Sequence, residues 1–385
     1  MRKHLICIFF LCSLYPGDLF VAGEGNFFEP GSGTISRINE YDGSTIIYDG
    51  IGSVVHSLKV YQNILIVAVN GDYLIKLYYI NDDSMEEIGS VTLEGQSPRE
   101  MVVLNHKLFV TTWDPDWYVY PYVNGTVKVI DLNTLELIES IDVGIMPEDI
   151  MYKDGYLWVA NSGEDTVSKL DYNNNMVVEN IFVDQGPTFL ANVDNDIFVS
   201  RTFYDENWNA NFGTSKINLG FHNQVDITSY GAGVACTGSI MTNSQNVYRG
   251  YDGGIAPIDN NLEIIASQKI GDYNASMVYH SDIIDDYVWM CITDFSDVNL
   301  VKMLDMSGNE IWTFNVGSIP GDIAKWEKCY FGGDVVDDGT VDVSDVVLTV
   351  YNIINLNAYE CESDLNSDGI INVSDVLLLV DIIIN

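Results

Sequence analysis

Apolar and polar residues alternate along most of this chain, in short runs broken by polar turns, and a period of two predicts half-buried β-strands. The runs also recur as a set. A Gly or Gly-x-x-Pro turn leads into an apolar strand, and a polar turn and a strand of the type LWVAN follow. A polar loop, a strand like TVKVID and a strand like LIESIDVG complete the set, most fully in residues 125–163. The turn plus strand that anchors each set stands at Gly52, Gly95, Gly144, Gly186, Gly231, Gly271 and Gly317, at intervals of 40 to 49 residues. Seven such sets of four strands predict an all-β chain folded as a seven-bladed β-propeller. The last anchor supplies one strand, ending at Trp326. The three missing strands are read at the start of the chain, in residues 19–23 (LFVAG), 34–38 (TISRI) and 44–48 (STIIY). One blade is therefore expected to be shared between both ends of the domain, which locks the ring.

The pattern changes in the last part of the chain. VSDVVLTVYNII and VSDVLLLVDIII repeat 30 residues apart, read as helices, and each follows an acidic loop. The second loop, DLNSDGIINVSD, places Asp364, Asn366 and Asp368 at positions 1, 3 and 5, Gly369 at 6 and Asp375 at 12. Calcium is a hard cation that takes six to eight oxygens, and such odd-numbered positions converge on one point. Ile370 offers its backbone carbonyl, Asn372 acts through water, and Ser374 is placed to cap the helix. The first loop, DVVDDGTVDVSD, keeps Asp334, Asp338, Gly339, Thr340 and Asp345 but has Val336 at position 3, with no side-chain oxygen. Two calcium ions are expected, the first bound more weakly. A pair of plain acidic turns is the alternative, and the repetition argues against it.

These residues carry two resemblances. LFVAGEGNFFEPGSGTISRI, GTVKVIDLNTLELIESIDVG and DGYLWVANSG resemble the YVTN-repeat, surface-layer-like seven-bladed propellers of bacteria, over about residues 18–326 and most strongly through Gly163. Some relatives of that family bind corrinoids at the cell surface, and more distant propellers are lactonases or lyases. The last 53 residues resemble type I dockerins, which bind cohesin modules through loop positions 10 and 11 and the following helix. Here those positions are Val343-Ser344 and Val373-Ser374, and the basic residues of the cellulosomal helix are replaced by Val350, Tyr351, Val380 and Asp381. The partner implied is a cohesin-like module or another surface protein, and a stabilising cap is the alternative. The expected division is a signal peptide at 1–17, a propeller at 18–326, a linker at 327–332 and a dockerin-like, calcium-binding domain at 333–385.

Charge and cysteine content place the chain. With 17 Lys and Arg against 56 Asp and Glu, the formal charge is −39, which repels phosphate and sets nucleic-acid binding aside. Arg2, Lys3 and His4 followed by LICIFFLCSL read as an export signal, too short to span a bilayer. Cleavage falls between residues 13 and 23. A cut near Gly17 keeps the LFVAG strand, whereas a cut after Gly23 would remove it. A secreted or cell-surface protein is expected, with no transmembrane span. In that setting Cys329 and Cys361, each just before a calcium repeat, are expected to form a disulfide. Cys236 and Cys291 are either paired or plain buried thiols.

Candidate recognition residues gather on one face. Strands alternate in direction, so the loop after each LWVAN-type strand and the loop before each anchor share that face. Two of its loops are enlarged and aromatic: residues 111–125, with Trp113, Trp117, Tyr118, Tyr120 and Tyr122, and residues 200–213, with Arg201, Tyr204, Trp208 and Phe212. Arg99, Glu100, Glu148, Asp149 and Asp322 lie next to the anchor turns at the channel mouth. Aromatic faces suit a glycan, a corrin ring or a peptide, and packing of these loops on each other is the alternative. The four histidines outside the signal are scattered, and no catalytic set is legible. The leading expectation is a secreted, non-catalytic binding or adhesion module. The alternatives are an extracellular lactonase, lyase or polysaccharide-degrading hydrolase, and a surface-layer structural component.

Overall fold

Seven β-sheets arranged as blades account for the chain from Asp18 to Trp326. The computed structural model describes residues 17–327 apart from 82, 233–238 and 244, and residues 333–384 apart from 337–338, 356–360 and 366–370. Blades 2 to 7 begin with the inner strands Val55–Tyr61, Ser97–Leu104, Pro147–Lys153, Pro187–Val193, Ile240–Thr242 and Val278–Ile284, and consecutive inner strands pack on one another around a channel. The strands within these six blades are antiparallel. Blade 1 closes the ring as the sequence predicts. The late strand Pro320–Trp326 lies beside the early strand Asp18–Gly23, followed by Gly33–Asn39 and Thr45–Gly52.

One expectation is corrected. Blade 6 has three strands among the described residues, not four. Its last strand, Gly254–Pro257, is met instead by an irregular segment through the isolated bridge of Ile255 to Ile270. The sequence there, NLEIIASQKIGD, lacks the sustained alternation of the other outer strands.

The LWVAN-type runs are continuously apolar because each blade is covered on both faces. In Tyr156–Asn161, Leu157 and Val159 face a cluster with Phe109, Val127 and Val129 of blade 3. Trp158 and Ala160 point the other way, into a cluster with Leu190, Ile197 and Val199 of blade 5. Strand alternation thus splits one run between two interfaces, each fully buried side chain contributing roughly 1.5–3 kcal/mol. The anchor turns have their own constraint. Gly186 sits at φ 71°, and a Cβ there would lie 2.0 Å from the Thr202 carbonyl oxygen, so only glycine fits.

Prolines shape the inner strands. The ladder slips between Pro98 and Met101, Pro147 and Ile150, and Pro187 and Leu190. Proline has no N–H to give, and the resulting bulge re-aims the next two residues out of the ladder. In blades 3 and 4 those residues are Arg99-Glu100 and Glu148-Asp149.

The strand Asp18–Gly23 is buried at every position, and Leu19, Phe20, Val21 and Ala22 are 0–1% exposed. Losing those side chains removes on the order of 5 kcal/mol, as much as many domains possess. A chain starting at Asp18 is therefore expected to give a cooperative thermal transition like that of one starting at Gly17. A chain starting at Glu24 should show none by circular dichroism; a folded Glu24 start would disprove the closure argument.

Candidate ligand-binding site

The enlarged loops of blades 3 and 5 flank a cleft of about 610 Å³ at the end of blade 4. Trp113 stands on one side, and Phe203 and Tyr204 on the other. Glu148, Ser162, Glu164, Asp165, Gln185 and Thr188 supply its polar lining. Trp113 ends the strand Lys107–Trp113 and is held by two neighbours, Arg99 and Trp117. The Arg99 guanidinium lies 4.5 Å from its ring centroid, Trp117 packs at 5.1 Å, and Arg99 Nε donates to Glu148 Oε2 at 2.7 Å. Burial disfavours the Arg99 charge, but Glu148 outweighs it and holds the guanidinium above its ordinary pKa. The Trp113 Nε1–H has no acceptor among the described residues.

The other sequence candidates divide. Tyr204 lines the cleft, 60% exposed, with Trp208 6.3 Å away on the same loop. Trp117, Tyr118 and Tyr120 do not line it. Trp117 packs on Tyr118 at 5.8 Å and Tyr120 on Tyr122 at 5.9 Å, so the alternative of mutual packing describes them in part, yet all four remain exposed. Arg201 requires correction as a surface ligand group. It is fully buried, with Nη1 on Asp184 Oδ2 at 3.0 Å and Nη2 donating to the Thr228 carbonyl at 2.9 Å and to Ser229 Oγ. A guanidinium with five donors can tie three strand segments together, which is how blade 5 uses it. Glu164 and Asp165 escaped sequence reading because they sit on a short loop, and applying the face rule to every loop, rather than to the enlarged ones, would have found them. Phe203 lies within the enlarged loop 200–213.

Glu100 and Asp149 lie in the channel and not in the cleft, with Asp282 and Asp322. Asp149 Oδ2 accepts the Leu190 N–H and Asp322 Oδ2 the Leu58 N–H, each at 2.7 Å from the inner strand of the next blade. Burial pushes Asp149 and Asp282 up to about 6 and Asp322 to about 7. Burial, then the charges of Asp322 and Asp149, holds Glu100 well above the usual carboxylate range. Above them, at the mouth, Tyr279 donates to Glu24 Oε1 at 3.0 Å and His56 Nδ1 stands 3.6 Å from the same oxygen. Burial pushes His280 down to about 4. Glu24, His56 and the adjacent pair Tyr279-His280 come from three distant segments, and no local motif announces them.

The C-terminal residues form a separate unit with two helices, α1 (Val343–Asn355) and α2 (Val373–Ile384). Asp345, Asp364 and Asp375 are fully buried there. Asp345 accepts the N–H groups of Val336 at 2.9 Å and Asp342 at 2.7 Å, and Asp375 that of Asn372 at 2.8 Å. Asp334 Oδ2 accepts the Gly339 N–H at 2.8 Å, and Thr340 is exposed. Asp338, Asn366, Asp368 and Ile370 lie outside the described residues, as does Cys329, and nothing is described around the Cys361 side chain. Ser374 is not the helix cap. The cap is Asn372, whose Oδ1 accepts the Ser374 N–H at 2.7 Å, and Asp342 caps α1 in the same way through Ser344. The helices start at Val343 and Val373, so the residue before each takes that role. In the propeller, Cys291 is a buried free thiol whose pKa burial pushes up. No described helix is long and apolar enough to cross a membrane.

Solved structures of the same architecture exist. A putative 6-phosphogluconolactonase from Bacteroides fragilis superposes with a TM-score of 0.59 at 12% identity, covering 82% of this chain and 99% of that one. A functionally unknown protein from Desulfotomaculum acetoxidans gives 0.59 at 10% identity, covering 80% and 98%. Apo AztD from Citrobacter koseri gives 0.50 at 13%, covering 81% and 98%. At such identities the likeness shows the propeller fold alone. No family model matches the chain, and no curated protein sequence is similar to it.

The channel carboxylates fix the sign of a pH effect. Their folded pKa values lie above the unfolded ones, so their contribution is complete near pH 4 and is lost as pH rises through 6 to 7. His280, depressed in the folded state, acts in the opposite sense, but as one group against four. Glu100→Gln removes a charge that burial and its acidic neighbours disfavour. It should raise the Tm at pH 7.5 by roughly 2 °C or more and leave it unchanged near pH 4. A lower Tm at pH 7.5 in scanning calorimetry would contradict the assignment.

Proposed function

We propose that this chain is an exported, non-catalytic propeller that binds a ligand in the cleft of blades 3 to 5. Its C-terminal unit, residues 333–385, is a calcium-folded, dockerin-like module that attaches it to a cell-surface or extracellular assembly. The observation that carries the binding reading is the cleft itself, with Trp113, Phe203 and Tyr204 around a polar floor. Exposed aromatic side chains on loops held by a rigid scaffold are the usual means of recognition. The propeller is read as a YVTN-repeat domain from its repeat residues. The export signal ends before Asp18, since the strand beginning there is buried.

Calcium is supported by three fully buried carboxylates in a unit with only two α-helices among its described residues. Buried charge needs a counter-ion, and a hard divalent cation supplies it while drawing the two loops into shape. Asp364, Asn366, Asp368, the Ile370 carbonyl and Asp375 would hold the stronger ion; Asp334, Asp338, Thr340 and Asp345 would hold the weaker. A Cys329–Cys361 disulfide would staple the unit. Attachment is supported by a row of exposed apolar residues on α1, Val343, Val347, Tyr351 and Ile354, echoed on α2 by Val373, Leu377 and Ile384. Such rows at helical spacing suit a docking face for a cohesin-like or other surface protein. A second reading, an enzyme, draws on the channel carboxylates with pKa values near neutrality.

Isothermal titration with calcium is expected to give one strong and one weaker site, and Asp368→Ala should abolish the strong one. Two equal sites would refute the reading of Val336. For the cleft, a screen of glycans, corrinoids and peptides should yield a ligand whose affinity drops about ten-fold or more in Trp113→Ala or Tyr204→Ala at unchanged Tm. A screen without any hit would sink the binding reading. Turnover of a sugar lactone or polysaccharide that disappears in Asp149→Asn or Asp322→Asn would replace it with the enzyme reading.

A further inference from the structure

We infer that the cleft's ligand is an organic cation, a primary ammonium or guanidinium carried on a flexible chain, with its charge beside Asp165. This rests on the reading of the cleft as the binding site. Three carboxylates line the cleft, Glu148, Glu164 and Asp165, and no lysine or arginine does among the described residues. Two of the three are committed within the protein. Glu148 is paired with Arg99. Glu164 receives the Thr166 hydroxyl and, at 3.3 Å, the Ile145 N–H. The Asp165 carboxylate has no hydrogen-bond or ion-pair partner among the described residues, and its side chain is half-buried in the cleft wall.

The surroundings deepen the imbalance. The flanking loops add Asp114, Asp116, Asp205 and Glu206, and the nearby cation Arg201 is tied to Asp184 beneath the surface. A neutral sugar could stack on Tyr204 but would leave the Asp165 charge without a partner. An anion would be repelled by the cleft and by a chain of net charge −39. An alkyl ammonium satisfies both parts of the lining. Its head can pair with Asp165, and its stem and charge can lie against the rings of Phe203 and Tyr204. Arg99, 4.5 Å over Trp113, shows that a guanidinium already stacks on one aromatic of this cleft.

The experiment is isothermal titration of the full chain in saturating calcium with a lysine tripeptide, its fully Nε-acetylated form, and spermidine. The tripeptide should bind and acetylation should weaken it at least about ten-fold. Raising the salt should weaken it further. Asp165→Asn and Tyr204→Ala should each weaken it about three- to ten-fold. Asp286→Asn, in an exposed turn at the opposite end of its blade, should not. Spermidine binding as tightly as the tripeptide identifies a polyamine as the source of the cation; tighter tripeptide binding identifies a basic polypeptide. Equal affinity for the acetylated form, or an Asp165→Asn variant as good as the parent while Tyr204→Ala is impaired, would overturn the cation and leave the cleft standing. Equal losses from Asp165→Asn and Asp286→Asn with Tyr204→Ala silent would mean diffuse surface attraction, and no binding of any cation would also overturn the inference.

Discussion

Closure of the ring is the constraint on which the remaining structure depends. An open stack of blades would leave two sheet faces bare, and the first and last blades of this chain are one sheet made from both ends. Leu19 and Val21 from the N-terminal strand share a buried cluster with Trp289, Val301, Phe314 and Ile323 from the last part of the domain. The Gly317 N–H donates to Ser36 Oγ at 2.9 Å across 281 residues of sequence. Without that junction, the facing surfaces of blades 1 and 7 would expose apolar side chains.

The inner strands are joined by a second, polar system. Ser57 Oγ donates to the Arg99 carbonyl at 2.5 Å and Thr111 Oγ1 to the Glu148 carbonyl at 2.6 Å, each from one blade to the next. Asp149 and Asp322 do the same through their carboxylates. For Asp149, the bulge after Pro147 frees the group that makes the bond. The device has an electrostatic consequence, because carboxylates brought together around a narrow channel desolvate and repel one another. The same bulges deliver Arg99 and Glu148 to the mouth, where they fix Trp113 and so one wall of the cleft. Scaffold and candidate site are thus built from adjacent residues of the same turns.

The division of labour among the aromatic residues follows from burial. Trp158 and Trp289, on central strands, are 1% exposed and serve blade packing, whereas Tyr204 and Trp208 project from a loop. Arg201 and Arg99 make the same point for cations. One ties blade 5 together from within, and the other stacks on Trp113 at the cleft wall. Side-chain type does not distinguish them; depth does.

What the sequence determined by itself was periodic. Strand alternation, the anchor turns and their spacing, the shared blade and the two helices with their acidic loops are all properties of neighbours along the chain. They are legible because a pleated strand buries every second residue and a helix every third or fourth. The irregular sixth blade escaped, because its outer segment lacks that alternation. Tertiary structure alone decided which residues from separate repeats meet. Glu24, His56 and Tyr279 converge at the mouth, Trp113 faces Tyr204 across blade 4, and Arg201 turns inward to Asp184. Such meetings depend on the ring's curvature and on the depth of each side chain in it, and those arise only once all seven blades close.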